Sequence, residues 1–185
     1  MVNMFAPEDQ RRLLTIARRA LEARVLRARD PALESSGALD ARCGAFVTIH
    51  RHHELRGCLG RLETDWAVSR VVAHLGRAVA DADPRFAPVT PDELAALTIE
   101  ISALTPEREV RSVADIEIGR HGLIVERGHH RGLLLPQVAT EHGWDVKAFL
   151  EHTCMKARLP VDAWKDDVRI LIFEAEIFGE RDADG

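Results

Sequence analysis

From Thr98 to Leu104 the chain reads TIEISAL, in which Thr98, Glu100 and Ser102 alternate with Ile99, Ile101 and Ala103. A period of two makes a ribbon with one polar and one apolar face, so a strand buried on one side is expected here. That excludes an all-helical chain and calls for helices to cover the apolar face. Two hairpins are expected as well. AFVTIH (45–50) precedes a second extended run from Leu55, and the runs 123–127 and 132–135 flank a GHH turn. A last strand is expected over 168–178.

Helical periodicity fills the intervals. Residues 7–29 carry Pro7 in the first turn, Glu8 and Asp9 at the positive dipole end, a stripe of Leu14, Ala17, Leu21 and Val25, and Asp30-Pro31 as the stop. Residues 65–80 place Val68, Val71, Val72, Leu75 and Val79 on one side, and DADPRFAP ends that helix because Pro84 biases Asp83 away from it. TPDE (90–93) fits a capping box, and Pro136 and Gly143 bracket two turns of helix. Another helix starts at Asp145, where Trp144 is placed to pack on Phe149 as a hydrophobic staple. Strands and helices mix without regular βαβ alternation, so the fold class is α+β with mainly antiparallel sheet and flanking helices. At 185 residues the chain suits a single domain over 1–185, with no linker to cut it and a disordered polar tail over 179–185.

Composition narrows the function classes. The net charge of -5 argues against chain-wide attraction to nucleic acid, and Arg11, Arg12, Arg18, Arg19 and Arg27 read as a solvated helix face with no aromatic residue between them. Cys43, Cys58 and Cys154 are odd in number and form no C-x-x-C pair, which implies reduced thiols in the cytoplasm and no structural zinc. No run of about 18 apolar residues and no leader pattern occurs, so neither export nor a membrane span is expected. HHEL fails the H-E-x-x-H pattern because position 57 is glycine, and His152 and Cys154 point apart on their helix, so no metal is assigned. Neither a phosphate-binding G-x-x-x-x-G-K-[ST] nor G-x-S-x-G is present, and no cofactor is assigned.

Chemistry concentrates in LRGCLG (55–60). Residues two apart on a strand share a face, so Arg56 and Cys58 are expected side by side, the guanidinium favouring the thiolate. Gly57 and Gly60 would let the backbone bulge or a ligand approach. The competing reading makes Cys58 a small core residue. Arg56 needs an anionic partner, either a ligand or one of Glu100, Asp83 and Glu63. A catalytic thiol also wants a base. With His52-His53 as the turn, Val47 pairs with Cys58 and His50 with Leu55, which puts His50 on the opposite face and leaves His121 as the candidate base.

LRGCLG, DPRF (83–86), HGL (121–123), GLLLPQVA (132–139) and HTCMKARLP (152–160) stand in an order that resembles the AMMECR domain family, whose hallmark is LRGCIG. The hallmark falls on Leu55, Arg56, Gly57, Cys58 and Gly60, with Leu59 for the usual isoleucine. Arg61 stands where threonine is common, and Arg158 replaces a glycine often seen after the helix. The resemblance implies a larger and a smaller lobe with a cleft between them. It also implies a role as the A component of a three-part set with a Memo-type dioxygenase-like protein and a radical SAM protein. It implies no established reaction. Three functions compete: a small-anion-binding or thiol-dependent enzyme at 55–60, a non-catalytic module docking on those partners, and, last, RNA binding through the arginine-rich helix.

Overall fold

The computed structural model describes residues 4–33, 37–62 and 65–180. In chain order the elements are α1 (Pro7–Val25), β1 (Ala45–Arg51), β2 (Glu54–Arg61), α2 (Val68–Ala78), β3 (Leu97–Leu104), β4 (Arg108–Glu109), β5 (Gly122–Arg127), β6 (His130–Leu134), α3 (Pro136–Glu141), α4 (Val146–Lys156), β7 (Arg169–Phe173) and β8 (Ala175–Gly179). They form two compact units, a larger one ending at Leu104 and resuming at Glu176, and a smaller one spanning Thr105–Ala175. Where the sequence shows no linker, the chain passes between units at the end of β3, at 104/105, and inside β8, at 175/176.

The larger unit has a four-stranded sheet in the order β2-β1-β3-β8, with β1 antiparallel to both β2 and β3. The alternation in TIEISAL does what was expected of it. Ile99, Ile101 and Ala103 pair with Ile49, Val47 and Ala45, and all six are buried in one cluster with Leu13, Leu21, Val71 and Val72 of the two helices. Thr98, Glu100 and Ser102 face the other way beside His50, Thr48 and Phe46. The smaller unit has its own sheet, β4-β7-β5-β6, and its own core of Leu123, Ile172, Phe149 and Leu150. Fold class α+β with antiparallel sheets therefore holds in each unit.

Several expectations are met with local differences. His52 and His53 form the first hairpin's turn with φ of 50° and 73°, the left-handed pair that a two-residue turn of this hand requires. α1 stops at Val25 because the Ala28 N–H reaches back to the Ala23 carbonyl at 2.8 Å, with Arg27 at φ 54° closing the end. TPDE does form its box, with the Glu93 carboxylate accepting from the Thr90 N–H at 2.9 Å, but the segment Pro91–Ala96 is a 3-10 helix. Asp145 caps α4 through the Ala148 N–H at 2.7 Å. Trp144 packs against the cluster that holds Phe149 and also stacks on His152 at 3.9 Å. Arg158 has φ 58°, which explains why glycine suits that position: a side chain there costs about 1 kcal/mol.

The expected single strand over 168–178 is two strands in different sheets. The break falls at Glu174, whose N–H donates to the Thr105 hydroxyl at 2.8 Å while the Thr105 N–H donates to the Glu174 carbonyl at 2.9 Å. The expected tail begins later than 179. Gly179 lies in β8, and the Glu180 carboxylate takes the Arg18 guanidinium and the Ile99 N–H. Residues 181–185 lie outside the described residues. No helix among the described residues is long and apolar enough to cross a membrane.

Candidate functional site around Cys58

β1 and β2 keep the expected register near the turn, with His50 opposite Leu55, and lose it one residue later. Ile49 faces Gly57, so Arg56 is an extra residue with no partner across the ladder, a β-bulge. Every pair beyond it moves by one. Cys58 faces Thr48 rather than Val47, which is the correction to the expected pairing. Since Val47 and Ile49 point into the core, Thr48 and Cys58 point to the opposite face of the sheet. Cys58 is half-buried there and the Thr48 hydroxyl donates to its sulfur at 3.2 Å. The core-thiol reading describes Cys43 and Cys154 instead, both of which are buried.

The bulge also decides the fate of Arg56. Its side chain turns to Glu93, donating from Nε at 2.9 Å and Nη2 at 3.1 Å, with a further bond of 3.4 Å to the Pro88 carbonyl. Glu93 is 8 % exposed and also receives Arg51 at 3.3 Å. Arg56 first, and then the Thr90 N–H and hydroxyl, hold the Glu93 carboxyl down to about 2 against the opposing effect of burial. Of the acidic residues expected as partners, neither Glu100 nor Asp83 is the one used. Glu100 sits two strands from Cys58 in the same row, Asp83 pairs elsewhere, and Glu63 lies outside the described residues.

A different arginine is tied to the backbone of Cys58. The Cys58 N–H points outward from β2, an edge strand, and donates to the Asp83 carboxylate at 2.9 Å. The same carboxylate takes Arg85 from its backbone N–H at 3.1 Å, Nε at 2.9 Å and Nη2 at 2.7 Å. Asp83 is 4 % exposed, and Arg85 chiefly, aided by the two N–H groups, holds its carboxyl well below the usual carboxylate range. The Arg85 guanidinium is pushed above its usual range by Asp83 and, in smaller part, by interaction with Cys58. DPRF thus covers the edge of β2 and ties Arg85, through Asp83, to the backbone of Cys58.

The two glycines have packing roles. Gly57 faces the core, where a Cβ would lie 3.1 Å from a Val79 methyl, and at Gly60 a Cβ would fall 2.2 Å from the Phe46 ring. Gly60 therefore lets the aromatic ring lie across the strand on the face that carries Cys58.

His121 belongs to the smaller unit and is buried. Its Nδ1 accepts the Glu117 N–H at 3.0 Å, and its Nε2 stands 4.0 Å from the Glu174 carboxylate. Burial pushes its pKa down, and the bond accepted at Nδ1 puts the proton of the neutral ring on Nε2. With its acceptor nitrogen engaged, the ring offers no base in this arrangement. Among the described residues no three His, Cys, Asp or Glu side chains converge to hold a metal ion.

Thr48, Arg85 and Glu93 are the residues that sequence reasoning passed over. Arg85 lies inside the quoted DPRF and Glu93 inside the quoted TPDE, but each was read only for what it does to the local chain.

Residues 14–178 match the AMMECR1 family. A protein of Methanothermobacter thermautotrophicus is 43 % identical, the match covering 95 % of this chain and 98 % of the relative. Protein TK0174 of Thermococcus kodakarensis is 41 % identical over 91 % of this chain and 88 % of its own. Among solved structures, the crystal structure of the uncharacterized protein PH0010 from Pyrococcus horikoshii superposes with a TM-score of 0.84 at 36 % identity, covering 96 % of this chain and 94 % of that one.

Proposed function

The chain belongs to the AMMECR1 family, and from that premise and the geometry at Cys58 we propose that it is a thiol-dependent protein acting on a small anionic substrate. Arg85 takes the anionic group and Cys58 supplies a nucleophilic sulfur, in concert with a Memo-type protein and a radical SAM protein. One observation carries this reading: the sulfur lies on the sheet face away from the core, under a donating Thr48 hydroxyl, and the Cys58 N–H shares the Asp83 carboxylate with Arg85.

The three cysteines provide an internal control. Burial pushes Cys43 up to about 11 and pushes Cys154 up as well, so at pH 8 about one Cys43 in a thousand is a thiolate. Iodoacetamide added to the folded chain at pH 7 to 8 is expected to modify Cys58 first and to leave Cys43 and Cys154 unmodified, as read by peptide mass spectrometry. Labelling of Cys58 no faster than of the buried pair removes the reading.

Leu55, 42 % exposed on the edge strand next to the bulge, favours a second reading in which this region docks a partner protein without chemistry. Co-purification with the Memo-type and radical SAM proteins separates the two. A complex that survives Cys58→Ser, with an unreactive Cys58 in the parent, supports docking alone.

A further inference from the structure

In the larger unit, just after LRGCLG in sequence, Trp66 is flanked by two cations. The guanidinium carbons of Arg61 and Arg70 each lie 4.1 Å from the centre of its ring. The two like charges are therefore held within roughly 10 Å of each other, each attracted by the indole face. Neither guanidinium has an ion pair or hydrogen bond among the described residues, and Arg61 Nε is buried with no acceptor. In a chain of net charge -5, two arginines brought to one ring with no ion pair among the described residues offer positive charge to an anion.

A cavity of about 280 Å³ opens beside the ring. Its walls are apolar at Trp66, Ala73, Pro31 and Leu33 and polar at Arg70 and His74, the latter meeting the indole edge-on at 5.6 Å. Arg77 and Asp30 also line it but neutralise each other as an ion pair, which leaves Arg70 as the cation on the cavity with no ion pair among the described residues. A guanidinium lying against an aromatic face keeps its N–H groups in its own plane, directed past the rim of the ring, where a carboxylate or phosphate can take two of them. The volume lies near the lower end for small-molecule sites, typically about 300–1,000 Å³, and admits one ring with its acidic substituent.

We propose that the Trp66–Arg70 cavity is a binding site for a small organic anion with a flat apolar body, an aryl carboxylate or aryl phosphate. The acidic group pairs with Arg70, and the ring packs among Trp66, Pro31, Leu33 and Ala73.

The test follows the Trp66 indole N–H signal of the full chain in a proton–nitrogen correlation spectrum, assigned with Trp66→Phe. Phenyl phosphate and benzoate are titrated against benzyl alcohol and inorganic phosphate. The expected result is a saturable shift of the Trp66 signal with at least one of the two aryl anions, with the Trp144 and Trp164 signals unmoved. Benzyl alcohol and inorganic phosphate are expected to bind at least about tenfold more weakly, because each supplies only one half of the complement. Arg70→Gln, an exposed change that spares the core, is expected to weaken the aryl anion by about tenfold, and Arg70→Lys to recover only part of it. Cys58→Ser should leave the affinity unchanged, so failure at this site and failure of the thiol reading are read separately. No saturable shift up to about 10 mM for either aryl anion, or equal affinity for benzyl alcohol, or an unaltered affinity in Arg70→Gln, overturns the proposal.

Discussion

Replacing Glu93 by glutamine is expected to lower the stability of the larger unit by about 3 kcal/mol, read from the urea midpoint. Glu93 is buried and holds Arg56, Arg51 and Thr90 at once, so an amide with a single acceptor oxygen leaves Arg56 half paired at a site only 16 % exposed. The pH dependence of the parent protein gives the same quantity independently. The Glu93 carboxyl is depressed from 4.5 to about 2. A depressed carboxylate stabilises the fold above its unfolded-state value and loses that stabilisation as pH falls through its folded-state value. Its contribution, about 3 kcal/mol, should be complete above pH 4.5 and disappear as the pH is lowered towards 2. In Glu93→Gln that part of the acid sensitivity should be missing. A variant that melts like the parent and retains the same acid profile would show that the Arg56 pair is ornamental.

The second large effect is local. Asp83→Ala removes the acceptor for the Cys58 N–H and for three donors of Arg85. Hydrogen bonds to a charged acceptor are worth about 1.5–3 kcal/mol each, partly offset here by relief of the carboxylate's burial. A net loss of about 2–3 kcal/mol is expected in the segment that ties DPRF to β2. Amide hydrogen exchange at Cys58 should accelerate by about 10²-fold, while Ile99 and Ile101 in β3, two strands away, exchange at the parent rate. Uniform acceleration across the sheet would mean that the loop is part of the global fold rather than a cover over one edge.

The fold was legible wherever the pattern was local. TIEISAL announced its buried face because a two-residue period needs only neighbouring side chains, and TPDE and Asp145 announced their caps because the bonds span three residues. The site was half legible. LRGCLG located the thiol, but the inference that Arg56 shares its face assumed an unbroken pleat, and the bulge that places an extra residue at position 56 removes that premise. With the register displaced by one, Cys58 meets Thr48, which no reading that paired it with Val47 could supply. The bonds that complete the arrangement, Cys58 to Asp83 and Arg56 to Glu93, join residues 25 and 37 positions apart. Neither separation is a multiple of any local repeat, so only the folded chain reveals them. His121 shows the converse: a histidine inside a quoted motif is a buried ring tied to Glu117, with its pKa pushed down by burial.

The account stands on the claim that the cation serving Cys58 is Arg85, placed there by Asp83. The most direct test is the second-order rate of iodoacetamide with Cys58 at pH 7 in the parent and in Arg85→Gln. Arg85 is 56 % exposed at its side chain, so the substitution should not unfold the chain. A fall of several-fold in the Arg85→Gln rate is predicted, with Cys43 and Cys154 unlabelled in both proteins. An unchanged rate would contradict the claim.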